Sequence, residues 1–257
     1  MQFKPIPFTS LSPAGIRGYF RSFLNLVYPD TCLICEQRLT YKESFVCGKC
    51  RANLCSLRYP QCEKCSRELP PFLNNGKICT ECQQARYHFT RNISALRYDE
   101  KTKQLFYHIK FRNRKTVLTV LTPYIDKVFT AMPVELSDCL MTSVPLDNTR
   151  RKKRGFNQSK VIAAHIGKRF SIPLDSGLLR RRHPRPPQST LKRRERLTNL
   201  GNTFYVPQPQ KVRHRNILLV DDIFTTGTTV DECAGALKRA GAETIHVFTL
   251  ARALKTV

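Results

Sequence analysis

The sequence predicts an α/β fold, in which a doubly wound parallel sheet follows an N-terminal segment with four-cysteine zinc sites. Two observations lead to this prediction. Short apolar runs alternate with stretches of helical periodicity over residues 91–257, and four C-x-x-C pairs crowd into residues 32–82. Alternating strands and helices favour a parallel sheet with helices on both faces. A chain of 257 residues is long enough for two domains, which we place at 1–90 and 91–257.

The cysteine pattern predicts the zinc segment. A C-x-x-C turn presents two thiolates to one ion, and two such turns complete a tetrahedral site that is structural when no coordination position is open. Consecutive pairing of the turns is simplest, but interleaved or nested pairing fits the spacing as well. Disulfide bonds are the alternative; the absence of a secretory pattern favours Zn²⁺ and a cytoplasmic protein. The eight cysteines are Cys32, Cys35, Cys47, Cys50, Cys62, Cys65, Cys79 and Cys82.

Hydrophobic periodicity predicts the remaining elements in order. An apolar face over residues 14–27 predicts a helix that packs against the first domain, although an interfacial membrane helix is an alternative. No run of 18 apolar residues occurs, so we expect no membrane span. Residues 176–215 are rich in Arg and Pro and show little periodicity. Strands are predicted at 93–98, 140–144, 217–220 and 244–250, and helices at 101–111, 117–129, 157–170 and 229–240, with Pro123 interrupting or bounding the second helix.

Positive charge is concentrated in one part of the chain. Residues 149–215 contain 19 Lys and Arg against two acidic residues, which is +17 of the formal +25. Such a field attracts polyanions, including pyrophosphate, nucleotides and nucleic acid. Aromatic residues that could stack on bases are sparse in this segment, so a dedicated base-stacking groove is not expected.

The most informative stretch is ILLVDDIFTTGTT, residues 217–229. A buried strand is predicted to end at Val220, and the adjacent carboxylates of Asp221 and Asp222 follow it. A loop rich in threonine then leads into a helix. Loop amides, hydroxyls and a helix N-terminus favour a phosphate, and carboxylates accept hydrogen bonds from sugar hydroxyls. The order of these features predicts a sugar-phosphate site. The loop consists of Thr225, Thr226, Gly227, Thr228 and Thr229.

These thirteen residues resemble the signature of the type I phosphoribosyltransferases, which bind phosphoribosyl pyrophosphate. The chain as a whole is identified as a member of the ComF family of competence-associated, phosphoribosyltransferase-like proteins. The resemblance rests on the cysteine pairs, on Tyr98 and the Lys110 region, on SVPLDNTRRKKRGFNQ (143–158), on PPQSTLKRRERLTNLGNTF (186–204) and on the final Leu250-Ala251-Arg252. One departure is that Arg185-Pro186-Pro187 stands where many members carry a Thr before the Pro-Gln pair.

The resemblance implies a role for each part of the site. Asp221 and Asp222 would hold the ribose hydroxyls, through or beside Mg²⁺, and the threonine loop would bind the 5′-phosphate. If strand 140–144 lies beside strand 217–220, the turn after it faces the phosphate loop. This turn would be the pyrophosphate loop: Pro145, Leu146, Asp147, Arg150 and Arg151. A mobile hood or acceptor wall would follow, with an exposed basic turn and helix cap as its alternative: Arg154, Phe156, Asn157 and Gln158.

Two functions remain open at this point. The first is an enzyme that transfers a phosphoribosyl group and releases pyrophosphate to an unidentified acceptor. The second is a binding or adaptor protein that retains the sugar-phosphate pocket and contacts single-stranded DNA through the basic segment. The family resemblance implies a part in DNA uptake during natural transformation, with helicase or recombination proteins as partners.

Overall fold

The computed structural model describes residues 30–71, 77–112, 115–132, 138–182 and 203–254, without the side chains of residues 115, 150 and 153. The predicted helix at 14–27 and residues 183–202 of the Arg- and Pro-rich segment lie outside this part. The chain divides into two compact units, Met1–Asn53 and Leu54–Val257. The predicted boundary after residue 90 falls inside the second unit; the division of the chain into domains at that point stays a prediction.

The first unit is built around one cysteine cluster. Helix α1 (Gly48–Ala52) begins at Cys47, whose side chain accepts a hydrogen bond from the N–H of Cys50. Thr31 forms an antiparallel bridge with Arg38, and this pairing closes the turn that carries the first C-x-x-C pair.

The second unit contains the sheet and the second cysteine cluster. Its helices are α2 (Thr80–Gln84), α3 (Glu100–Phe111), α4 (Leu118–Thr130), α5 (Asn148–Arg154), α6 (Gln158–Phe170) and α7 (Thr228–Arg239). Its strands are β1 (Arg91–Tyr98), β2 (Cys139–Ser143), β3 (Arg180–Arg181), β4 (Phe204–Tyr205), β5 (Asn216–Phe224) and β6 (Ile245–Ala253). Strands β3 and β4 form a separate antiparallel pair.

The main sheet has the order β1-β6-β5-β2, and every pair in it is parallel. Side chains alternate between its two faces, and both faces are covered. On one face Ile217 and Leu219 of β5 belong to a buried cluster with Val230 and Leu237 of α7. On the other face Phe248 of β6 packs against the ring of Phe129 in α4, with 5.0 Å between ring centroids. The predicted doubly wound parallel sheet is therefore confirmed.

Local sequence explains where the helices begin and end. Asp99 and Thr102 form a reciprocal capping box at the start of α3. Gly241, with φ +95°, follows α7. The N–H of Gly241 donates to Lys238, and the N–H of Ala242 donates to Leu237, which is the Schellman arrangement. The first arrangement satisfies backbone N–H groups at the start of α3, and the second satisfies carbonyl groups at the end of α7.

Two predictions about element boundaries are wrong. Pro123 neither interrupts nor bounds its helix, because α4 runs through it from Leu118 to Thr130. Proline removes one backbone hydrogen bond, and the buried face that includes Leu121 and Ile125 outweighs that loss. Strand β5 does not end at Val220, since its pairing with β6 continues as far as Phe224 and Arg252. The two acids therefore lie within the strand.

No helix in the described ranges is both long and apolar enough to cross a membrane.

Candidate functional site

The eight paired cysteines form two clusters of consecutive pairs, which is the simplest of the pairings that the spacing left open. Cys32, Cys35, Cys47 and Cys50 make the first cluster, and Cys62, Cys65, Cys79 and Cys82 make the second. The sulfur of Cys35 lies 3.7 Å from that of Cys47, and the sulfur of Cys65 lies 3.8 Å from that of Cys79. A tetrahedral ion with zinc–sulfur bonds of about 2.3 Å requires sulfur separations of about 3.8 Å. The donor sets therefore fit structural zinc.

In each cluster, backbone N–H groups favour the thiolate form of one cysteine. The N–H of Cys47 donates to the sulfur of Cys32, and the N–H of Cys79 donates to the sulfur of Cys62. A hydrogen bond from the Cys65 thiol, together with backbone N–H groups, lowers the pKa of Cys62 to about 4. These contacts stabilise the charged form that binds a metal ion.

The threonine loop joins β5 to α7, and Gly227 determines its course. Gly227 is the N-cap of α7 and has φ +85°, a conformation that L-residues with side chains rarely adopt. A Cβ atom there would lie 2.5 Å from Cζ of Phe224. The hydroxyl of Thr226 lies 2.9 Å from that of Thr228, and the loop threonines are exposed. The loop thus combines exposed hydroxyls with the N-terminus of a 12-residue helix.

Asp221 and Asp222 are consecutive residues of β5 and have different partners. Oδ1 of Asp221 accepts a hydrogen bond of 2.7 Å from the hydroxyl of Ser159 and one of 2.9 Å from the N–H of Asp222. Oδ2 of Asp222 lies 2.6 Å from Nζ of Lys110 at the end of α3. A carboxylate can accept about four hydrogen bonds, so these donors saturate neither acid.

Burial, followed by the charge of Asp222, raises the pKa of Asp221 from its ordinary value of 3.8 to about 7. The folded protein then holds this proton more tightly than the unfolded chain, so stability falls as pH rises from about 4 to about 7. We expect Asp221→Asn to be stabilising relative to wild type by a few kcal/mol at pH 8 and by much less at pH 5.

Thermal unfolding of both proteins at the two pH values measures this difference. Ser159→Ala is the companion variant: it removes a hydrogen bond that favours the ionised form, and it should therefore move the wild-type transition to higher pH. An equal difference between Asp221→Asn and wild type at pH 5 and pH 8 would contradict the raised pKa.

Strand β2 is the neighbour of β5, with Ser143 opposite Val220, which meets the condition under which the turn after β2 would face the phosphate loop. In the loop after β2, Oδ1 of Asp147 accepts a hydrogen bond of 2.8 Å from the N–H of Thr149 at the start of α5. Beside this loop lies a cavity of about 1100 Å³. Its lining includes Pro145, Leu146 and five basic side chains: Arg151, Lys160, Arg180, Arg181 and Arg182.

The residues expected in a hood or acceptor wall divide between two roles. Phe156 and Asn157 line the basic cavity. Asn157 also caps α6, because its Oδ1 accepts from the N–H of Ser159 and its Nδ2 donates to the carbonyl of Val144. Gln158 is buried, and its Oε1 accepts a hydrogen bond of 3.2 Å from Arg154. The alternative of a turn and helix cap describes Asn157, while an acceptor role for the group stays a prediction.

Sequence reasoning assigned no site role to Lys110, Ser159, Tyr87 or Arg252. The fold places the side chain of each of them in contact with Asp221, Asp222 or the threonine loop, although each is distant from them in sequence. Two of them lay in stretches that carry the family resemblance, the Lys110 region and the final Leu-Ala-Arg motif with Arg252, but neither was given a role. A separate cavity of about 770 Å³ lies between β1 and the second cysteine cluster, and Cys62 is the one predicted site residue among its lining residues.

This combination of parallel sheet, threonine loop and cysteine clusters defines a phosphoribosyltransferase-type protein that carries a double zinc ribbon. The sequence pattern of the double zinc ribbon domain matches residues 23–83, and that of the phosphoribosyl transferase domain matches residues 154–256. Among solved structures, the glutamine phosphoribosylpyrophosphate amidotransferase from B. subtilis covers 47% of this chain and 23% of its own, with 21% identity and a TM-score of 0.34.

The chain belongs to the ComF family. DNA utilization protein YhgH of Salmonella typhimurium is 30% identical over 233 residues, which cover 89% of this chain and 100% of YhgH. Competence protein F of Haemophilus influenzae is 26% identical, with 86% of this chain and 96% of the relative covered. Competence protein ComFC of Bacillus subtilis is also 26% identical, with 86% and 94% covered.

Proposed function

We propose that this protein binds phosphoribosyl pyrophosphate at the carboxyl end of β5 and transfers its phosphoribosyl group to an acceptor, with release of pyrophosphate. The observation that supports this proposal best is the threonine loop after the two acids, in which Gly227 in the left-handed conformation caps the N-terminus of α7. The loop amides and the helix dipole favour the 5′-phosphate, and the threonine hydroxyls add donors.

The two acids would hold the ribose. Oδ1 of Asp222 and Oδ2 of Asp221 have no donor among the described residues, so both can accept hydrogen bonds from ribose hydroxyls. Lys110 pairs with Asp222 and orients its side chain. Carboxylate oxygens are also ligands that Mg²⁺ accepts, usually one or two of them with substrate phosphates. When bound with the pyrophosphate, Mg²⁺ neutralises charge on the leaving group.

The reaction breaks the bond between ribose C1 and a pyrophosphate oxygen, and the electron pair leaves with that oxygen. The loop after β2 adjoins the phosphate loop through the pairing of β2 with β5, and the basic cavity lies beside it. Arg151 and Lys160 in that cavity would stabilise the negative charge that develops on the leaving pyrophosphate. The acceptor forms the new bond at C1 from the opposite face of the ribose.

The names of the relatives support a cellular role in competence and DNA uptake, which we propose for this chain, with helicase or recombination proteins as partners. We place the protein in the cytoplasm, because eight thiolates in two metal clusters persist best in a reducing compartment.

A second candidate function is binding of single-stranded DNA without catalysis. Arg181 and Arg182 lie at the cavity and stack over Phe204 and Tyr205, with 5.6 and 5.4 Å from guanidinium to ring centroid. Arginine–aromatic pairs at a basic surface favour contact with a phosphate backbone, with affinity that falls as salt rises.

The test compares wild type with the double change Asp221→Asn and Asp222→Asn. Pyrophosphate release from phosphoribosyl pyrophosphate and Mg²⁺ is measured across a panel of acceptors, and the double variant should lower it by about 100-fold or more. Asp126→Asn is the control, because Asp126 on α4 is paired with Arg169 on α6 and belongs to neither site.

The outcomes separate the two functions. Release that survives the double change would remove these carboxylates from the site. If no acceptor gives release, and an oligonucleotide binds with a salt-dependent affinity that the double change leaves unaltered, the DNA-binding function stands in place of the enzyme.

A further inference from the structure

Arg252, in the final Leu-Ala-Arg motif, is a buried cation between the second cysteine cluster and the threonine loop. Its exposed fraction is 3%, and its guanidinium lies 4.7 Å from the ring centroid of Phe224. Nη1 donates to the carbonyl oxygens of Phe224 at 3.0 Å, Thr225 at 2.6 Å and Ala253 at 2.6 Å. Nε donates to the carbonyl of Cys65 at 3.0 Å. One side chain thus joins the cluster to the loop.

The charge of Arg252 is compensated by the cysteine cluster. In the part of the chain that the structure describes, its polar contacts are four carbonyl groups and the sulfur of Cys65, which lies 3.9 Å from Nη2. A buried cation needs a nearby anion. Four thiolates around one Zn²⁺ carry a net charge of −2, so the metal-loaded cluster supplies that anion.

A second residue from the same side holds the next carbonyl of the loop. The hydroxyl of Tyr87 lies 3.5 Å from the carbonyl oxygen of Thr226, and its ring stacks on Phe89 with 4.7 Å between centroids. Three consecutive carbonyls, those of Phe224, Thr225 and Thr226, are therefore held by Arg252 and Tyr87.

Because peptide bonds are planar, the contacts to these carbonyl groups also determine where the N–H groups of the loop point. In a trans peptide the C=O of one residue points opposite to the N–H of the next. The N–H groups of Thr225, Thr226 and Gly227 consequently point away from Arg252 and Tyr87. Within the described residues none of the three has a hydrogen-bond acceptor. A row of free N–H groups is the arrangement that binds an anion.

We propose that Arg252 and Tyr87 are positioning residues, which aim three backbone N–H groups of the threonine loop at the 5′-phosphate and which the second cysteine cluster holds in place. This inference rests on the proposed function of the loop. In this proposal the second cysteine cluster supports the phosphate site, although none of its cysteines would touch the ligand. The final arginine of the chain then acts through the loop backbone.

The test uses the full-length, zinc-loaded protein with Arg252→Lys and Tyr87→Phe. Arg97→Lys is the matched control for the first, because Arg97 joins β1 to Glu68 beside the second cluster without reaching the loop. Tyr107→Phe is the control for the second, since Tyr107 is exposed on α3. Calorimetry gives the Kd for ribose 5-phosphate and, separately, for pyrophosphate. Bound zinc and the melting temperature are recorded for every protein.

We expect Arg252→Lys to weaken the binding of ribose 5-phosphate by about 10- to 100-fold, because charged hydrogen bonds are lost. Tyr87→Phe should weaken it by a few-fold, because one neutral hydrogen bond is lost. Pyrophosphate affinity should change less than about twofold, because that ligand uses the loop after β2. A purely structural role would weaken both ligands in parallel. Equal affinities of wild type and Arg252→Lys for ribose 5-phosphate would overturn the proposal.

A readout without ligand keeps the inference separate from the proposed function. If wild type binds no ribose 5-phosphate, the proposed function of the loop fails. The positioning role is then judged from the ¹H–¹⁵N resonances of Thr225, Thr226 and Gly227 in the ligand-free protein. These resonances should shift in Arg252→Lys and stay in place in Arg97→Lys. Resonances that do not move would refute the positioning role.

Discussion

Gly227→Ala is expected to abolish binding of phosphoribosyl pyrophosphate and to destabilise the second unit. Two separate costs add at this position. A φ of +85° costs an L-residue about 1 kcal/mol, and the new Cβ would lie 2.5 Å from Cζ of Phe224. The Phe224 ring cannot easily retreat, because it is 1% exposed and packs under the guanidinium of Arg252. Relief of the clash therefore has to move the loop, and with it the N–H groups that would contact phosphate.

We expect a loss of affinity of about 100-fold or more, and a loss of stability of about 2–4 kcal/mol from strain and overpacking together. Calorimetric titration and urea unfolding measure the two effects. Gly155→Ala is the stability control: Gly155 has φ +76°, but a Cβ there meets nothing within 4 Å, so only the backbone cost remains.

Adding Phe224→Leu to Gly227→Ala should recover part of the lost affinity, because it removes the ring atoms that the Cβ would meet. Wild-type affinity in Gly227→Ala alone would show that this loop does not bind the phosphate.

The second large effect concerns the two cysteine clusters, which should contribute unequally to the sheet unit. All four cysteines of the second cluster belong to the buried cluster that includes Phe89, Val230 and Leu237. The first cluster lies in the other compact unit. Binding of zinc to a structural site is worth about 10–16 kcal/mol, which equals or exceeds the whole stability of a typical domain. Cys65→Ser should therefore unfold residues 54–257, whereas Cys35→Ser should leave their unfolding transition unchanged.

Circular dichroism in the near ultraviolet, with limited proteolysis, reports which unit is lost. Cys65→Ser and Cys35→Ser differ only in which cluster loses a ligand, and both variants should bind less zinc than wild type. Equal destabilisation of the sheet unit by the two changes would contradict this division of roles.

Much of the fold follows from the sequence because its signals are local. The apolar run that became β5, the capping residues of α3 and Gly241 after α7 each act over a few neighbouring residues. The consecutive pairing of cysteine turns agrees with the shortest connections. Pro123 and the end of β5 could not be predicted in this way, because tertiary packing and pairing with β6 outweigh the local preference.

The candidate site was predicted where a motif carried it and was missed where contacts come from afar. The threonine loop and the loop after β2 are each one continuous stretch of sequence. The pairing of β2 with β5 brings the two strands that precede them side by side. Lys110 reaches Asp222 across 112 positions of the chain, and Ser159 reaches Asp221 across 62. No periodicity or spacing encodes such contacts. The position of the two acids within a strand was also not indicated by the sequence.

The outer edges of both edge strands, β1 and β2, form hydrogen bonds with other parts of the chain. The backbone of Asn92 in β1 donates to Lys64, and Met141 in β2 exchanges hydrogen bonds with Pro173 and Asp175. A parallel sheet with open borders is a template for strands from other molecules, and such borders promote aggregation. The segments that pair with these edges therefore cover them and oppose self-association. A fragment cut to begin at residue 91 would lose the segment that covers β1, and the exposed edge could pair with other copies of the fragment.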